Sequence, residues 1–193
     1  MTGENSGAPS SYSLYWSADL QHLFYCTITR SENLVMLKIV SEKSLTELSQ
    51  KAALLPRKRL NLNFHEDLAD PINRMLNAFE PGTYIQPHKH ENPDKRELFI
   101  VLRGSLIVVI YDDSGNPTDY VLLNPQKGNH AIEVPPGVWH SVISLETGTV
   151  AYEIKDGPYQ VISDKNFASW APKEGQPECE DYLRKLTDQY TNR

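Results

Sequence analysis

Four residues carry the clearest chemistry in this chain: His88, His90, Glu97 and His140. His88 and His90 lie two positions apart, so on a β-strand both imidazoles project from one face. Glu97 opens the next apolar run, and a bend through Asn92-Pro93-Asp94 brings its carboxylate back towards the two rings. His140 follows the tight turn Pro135-Pro136-Gly137. Three imidazoles and a carboxylate suit one borderline divalent ion (Fe, Mn, Zn or Ni), with coordination positions left for a ligand or solvent.

Strands must position these groups. From Met75 to about Lys155 the chain runs through short apolar or alternating segments broken by turn signals: MLNAF, TYIQPHKH, ELFIVLRG, SLIVVIYDD, DYVLL, HAIEVPPG, VWHSVI and GTVAYEIK. With no helical period between them, these predict an antiparallel barrel or jelly roll. Upstream, Leu45, Leu48, Ala52 and Leu55 recur at helical spacing behind Ser41, a natural N-cap, and Pro56 stops the helix. Residues 59–65 alternate strictly, which predicts a half-buried strand. At the other end PECEDYLRKLTDQY predicts an amphipathic helix with Leu183, Leu186 and Tyr190 on one side.

The spacing resembles the two sequence motifs of the cupin superfamily. The first runs from Gly82 through His88, His90 and Glu97 to Gly104, with a longer gap before Glu97 than is usual. The second is met by Pro135, Gly137 and His140, with Ser144 at a position where Asn is frequent. The resemblance implies an all-β double-stranded β-helix, a jelly-roll barrel, here with an N-terminal and a C-terminal helix. It also implies that His88, His90, Glu97 and His140 are metal ligands. A narrower resemblance, to the WbuC family of cupin-fold metalloproteins, rests on PRKRLNLNFH (56–65), INRMLNAFEPGTYIQPHKH (72–90), ELFIVLRG (97–104), EIKDGPY (153–159) and DKNFASWAPKEG (164–175). It implies a place in bacterial polysaccharide (O-antigen) biosynthesis and a homodimer. Because it begins at Met36, residues 1–35 are expected to be a poorly ordered extension and residues 36–193 the cupin domain.

Alternation supplies candidates around the metal. Tyr84 and Gln86 share the face of His88 if residues 83–90 are a strand. Glu153 and Lys155 share one face of the last long strand, either as an interior ion pair beside a substrate or as a solvated edge. Arg59, Asn61, Asn63 and His65 lie opposite Leu60, Leu62 and Phe64, facing either solvent or the barrel mouth. A polar wall there would suit a hydroxyl-rich ligand, since buried polar groups need partners. Tyr159 is a further pocket candidate, and Lys155 and His65 are candidate acid–base groups. His22 and His130 are taken as incidental.

Composition narrows the partners. A net charge of −6 and pI near 5.5 argue against a general nucleic-acid binder. Two distant cysteines, Cys26 and Cys179, are expected to be reduced thiols rather than a disulfide framework. The polar N-terminus is unlike a signal peptide and no apolar run is long enough for a membrane span, so a cytoplasmic protein is expected. The chemistry points to a metal-dependent enzyme on a sugar or nucleotide sugar, an isomerase or epimerase being the plainest form without nicotinamide or phosphate-loop motifs. An iron-dependent dioxygenase and a non-catalytic sugar-binding or regulatory cupin remain as alternatives.

Overall fold

The structure is a computed structural model that describes residues 25–30, 33–159 and 165–193, with side chains from residue 37 onward. It opens with a hairpin, β1 (Tyr25–Arg30) and β2 (Asn33–Lys38), paired antiparallel from Tyr25↔Lys38 to Arg30↔Asn33. This hairpin was not expected from the sequence, and it begins before Met36. Its segments are rich in β-branched residues, notably Thr27, Ile28, Thr29 and Val35, which favour a pleated backbone even without clean alternation. The remainder of the expected extension, with His22, lies outside the described residues.

Helix α1 (Glu42–Leu54) follows, capped as expected by Ser41. The Ser44 backbone N–H donates to Ser41 Oγ and Ser41 N–H donates to Ser44 Oγ, a reciprocal cap contributing roughly 1 kcal/mol. The strands after it are β3 (Arg59–Asn63), β4 (Ile72–Phe79), β5 (His88–Lys89), β6 (Glu97–Arg103), β7 (Leu106–Tyr111), β8 (Pro117–Leu123), β9 (Ala131–Val134), β10 (Trp139–Ser144), β11 (Thr149–Asp156) and β12 (Asn166–Phe167). Helix α2 (Glu178–Thr191) ends the fold.

Two five-stranded antiparallel sheets result, ordered β3-β4-β11-β6-β9 and β12-β5-β10-β7-β8. Their inner faces meet over a buried apolar cluster that includes Phe79, Phe99, Val101, Leu106, Val108, Leu123, Val134, Val142 and Ala151. Each outer face is covered by a helix. Leu45, Leu48 and Ala52 of α1 pack on Leu62, Leu76, Ala78 and Val150. Leu186 of α2, with Tyr182 and Leu183, packs on Ile107, Val109, Tyr111 and Ile143. The all-β jelly roll flanked by two helices is therefore present as expected. No helix among the described residues is long and apolar enough to cross a membrane.

Two glycines of the expected motifs have structural reasons. Gly104 adopts φ +81°, and a Cβ there would collide with the Thr149 side chain and lie 2.7 Å from its Cα. Gly137, at φ +76°, donates its N–H to His90 O at 3.0 Å, tying the turn before His140 to the strand of the other histidines.

Candidate metal centre

The two sheets divide the labour of the site. β5 and β10 lie side by side in one sheet, with His88 directly opposite His140. β6, in the facing sheet, carries Glu97 at its first position. His88, His90, Glu97 and His140 are all buried, and their ligand atoms lie within 4.8 Å of one another. Ring centroids are separated by 4.5 Å for His88–His140, 5.2 Å for His88–His90 and 5.8 Å for His90–His140.

The hydrogen bonds fit a bound cation. His88 Nδ1 donates to Gln86 O at 3.0 Å and His140 Nδ1 donates to Val138 O at 2.9 Å. Each backbone carbonyl fixes the tautomer, leaving Nε2 as the lone-pair nitrogen turned inward. His88 Nε2 is buried without a hydrogen-bond partner, the kind of orphaned atom that a metal satisfies. His140 Nε2 sits 2.9 Å from Glu97 Oε2, and His90 Nε2 is 3.4 Å from the same oxygen. A lone pair facing a carboxylate at that distance requires a positive charge on or between the two. Burial, aided by the Lys165 charge, keeps His88 neutral by lowering its pKa well below 6.5. Three inward imidazoles and one carboxylate thus make a buried single-ion site of mixed nitrogen and oxygen donors.

Glu97 does not stand alone on its wall. Lys155 of β11 is its direct cross-strand neighbour, and Asn73 of β4 is the neighbour of Lys155 on the other side. Next along β11, Glu153 accepts from Asn77 Nδ2 at 2.5 Å and lies 4.0 Å from Lys155 Nζ. Burial and the nearby Glu97 charge push the Glu153 pKa up to about 8. Both Glu153 and Lys155 are buried, so this face of β11 is interior and not a solvated edge. Asn61 and Asn63 pair with Asn77 and Met75, which places them on the same inward face, and Asn61 Nδ2 donates to Asn63 Oδ1 at 2.7 Å.

Other expected pocket residues have different work. Residues 83–87 are not a strand, because Pro87 lacks an amide donor and β5 pairs only at His88 and Lys89. Alternation therefore does not govern Tyr84, whose hydroxyl donates to Pro172 O at 2.7 Å and whose ring packs edge-on against Tyr182 of α2. Gln86 Nε2 donates to Ala168 O at 2.9 Å. Arg59 grips both Glu174 oxygens at 2.7 Å and donates to Tyr84 O at 2.8 Å. These three side chains brace residues 166–174. The brace matters because β12 within that segment is the second neighbour of β5, with Phe167 opposite His88 and the two rings 6.0 Å apart. Residues 166–174 thus back β5, the strand that carries His88.

His65 is buried and its Nδ1 accepts the Arg74 N–H at 3.0 Å, with burial lowering its pKa. Tyr159 is half-buried, its ring 5.7 Å from Lys155 Nζ. Cys179 is a buried free thiol, as expected, while the Cys26 side chain lies outside those described. Sequence reasoning missed Asn73, Asn77, Lys165 and Phe167. The first two were accessible, since the run Ile72–Phe79 alternates with Asn73, Met75, Asn77 and Phe79 on one face.

Two facing antiparallel sheets, with three histidines and a glutamate converging between them, define a cupin-type jelly roll with a metal-binding cluster. A family model described as a domain of unknown function (DUF6016) matches residues 40–123. No curated protein matches the sequence. Among solved structures, KdgF from a Halomonas species is similar at 17% identity over 55% of this chain and 85% of its own, with a TM-score of 0.43. A cupin-2 domain protein from Shewanella frigidimarina is 20% identical over 50% of this chain and 79% of its own, with a TM-score of 0.38. The capsular polysaccharide assembling protein CapF from Staphylococcus aureus is 19% identical, with a TM-score of 0.47, over 59% of this chain. This chain spans about a third of the CapF chain, 32%.

Proposed function

We propose that this chain is a metal-dependent cupin acting on, or binding, a sugar or nucleotide sugar in bacterial polysaccharide (O-antigen) biosynthesis. The observation that carries the ligand class is the amide-rich barrel wall, Asn61, Asn63, Asn73 and Asn77, on the same sheet as Glu97. Inward-facing amides, Asn73 buried and the other three half-buried, with a buried lysine beside a metal site favour a ligand bristling with hydroxyls, which satisfies donors and acceptors together. The place in polysaccharide biosynthesis is supported by the WbuC resemblance alone.

His88, His90, Glu97 and His140 would hold the ion, and a bound divalent ion would act as a Lewis acid towards a carbonyl or vicinal hydroxyls. Gln86 O and Val138 O hold the His88 and His140 rings in the tautomer such binding needs. Lys155, buried beside Glu97 and Glu153, is better placed than His65 to move a proton, because His65 Nδ1 is occupied by the Arg74 amide. Isomerisation or epimerisation asks for no further cofactor.

The test is elemental analysis of protein purified without added metal, then turnover of nucleotide sugars after loading with Fe, Mn, Zn or Ni. The double variant His88→Ala/His90→Ala is expected to lose both bound metal and turnover. Turnover retained by that metal-free variant would sink the reading. Oxygen uptake with iron alone would instead assign a dioxygenase, and ligand binding without product under any metal a binding or regulatory cupin.

A further inference from the structure

Asn73 is fully buried, and both atoms of its carboxamide lack a hydrogen-bond partner. Such a group destabilises the fold unless something fills it, so its retention points to an occupant. By register it faces into the barrel on β4, directly beside Lys155, which is itself beside Glu97. With strands about 4.8 Å apart, Asn73 and Glu97 stand roughly 10 Å apart with Lys155 between them.

The charges around this row do not follow those of the whole chain. Lys165 is close enough for its charge to act on both His88 and Glu153. Glu97 and Glu153 bring at most two negative charges against the two positive ones of Lys155 and Lys165, so the four together are not negative. A divalent ion then leaves the site positive inside a chain of net charge −6. An enclosed positive site draws anions. Asn73 adds a donor, Nδ2, for an anionic oxygen, and an acceptor, Oδ1, that no anion can satisfy and a hydroxyl can.

We infer that Asn73 and Lys155 form a subsite for the acidic group of an anionic sugar, a carboxylate or phosphate flanked by a hydroxyl. This inference rests on the sugar reading above and narrows its substrate class. Lys155 supplies the charge, Asn73 Nδ2 a hydrogen bond to the acid group, and Asn73 Oδ1 accepts from the neighbouring hydroxyl.

Calorimetry on the zinc-loaded full chain with D-glucuronate, glucose 1-phosphate and D-glucose tests it. At least one acidic probe is expected to bind tenfold or more tighter than glucose, and which one tells carboxylate from phosphate. Lys155→Gln should bring that ratio within twofold while zinc content is unchanged, Lys155→Arg should keep it, and Asn73→Ala should weaken the acidic probe at least fivefold. Zinc content and melting temperature of each variant report folding independently of the ligand. Equal affinity for glucose and both acids overturns the subsite and leaves the sugar reading standing. An Asn73→Ala variant with unchanged acid affinity assigns a trapped water to Asn73 and also overturns it. Binding of none of the three probes by zinc-loaded protein overturns both.

Discussion

The inward face of the sheet β3-β4-β11-β6-β9 has two ends of opposite character. At one end Phe79, Ala151 and Val101 join Leu106, Val108 and Val142 from across the barrel in a dry apolar cluster. At the other end Asn73, Lys155 and Glu97 form a polar row facing His88, His90 and His140. The same strands supply both ends, a few residues apart. The apolar end removes side chains from water and accounts for stability, at roughly 1.5–3 kcal/mol for each large aliphatic side chain. The polar end has buried charges and an unpartnered amide, which cost stability unless they are paired.

The sharpest way to break this contrast is to cut into the apolar end alone. Leu106→Ala, at a fully buried position, is expected to cost about 2–5 kcal/mol by denaturant unfolding. Metal stoichiometry below the lowered melting temperature should be unchanged. A folded variant that no longer held metal would show that the two ends are not separable.

Acid should act on the polar end only. Burial holds His88 below the ordinary imidazole value of 6.5, so its ring is neutral when folded and takes up a proton in the unfolded chain as the pH falls past 6.5. Its contribution is therefore complete above pH 6.5 and lost progressively below it. Metal affinity follows the same direction, because ligand nitrogens must be unprotonated. Zinc affinity is expected to hold between pH 7.5 and 6.5 and to fall only once the pH drops below the lowered His88 value. Affinity that stayed constant down to the pH at which the protein unfolds would remove the histidines from the site.

The smallest expected effect has the opposite sign. Asn73→Leu removes a buried amide with no partner and fills similar volume, so the protein should gain about 1 kcal/mol in stability. A loss in its place would mean that Asn73 is satisfied in the folded protein and that the polar end is built for stability too.

Much of the fold was legible along the chain. Ser41 and the Leu45, Leu48, Ala52 spacing marked α1, and the short apolar runs from Met75 to Lys155 marked most of the barrel strands. These signals are local, set by hydrogen-bond periodicity and by which residues cap or break it. The hairpin β1–β2 was not legible, because its segments lack strict alternation. Alternation could not place Tyr84 for a related reason: it assigns faces only where strands pair, and residues 83–87 do not. The contacts of Tyr84 with Pro172 and of Arg59 with Glu174 join residues far apart in sequence.

The sequence by itself determined the ligand set, since His-x-His, a following Glu and a later His after Pro-Pro-Gly are fixed by residue type and spacing. Only the tertiary structure decided which way the polar faces point. Alternation says that Asn61 and Asn63 lie opposite Leu62, and that Glu153 and Lys155 lie opposite Tyr152, but not which side meets water. That depends on α1 covering the apolar side with Leu45, Leu48 and Ala52. With that side taken, the polar side is left to face the interior and the metal ligands.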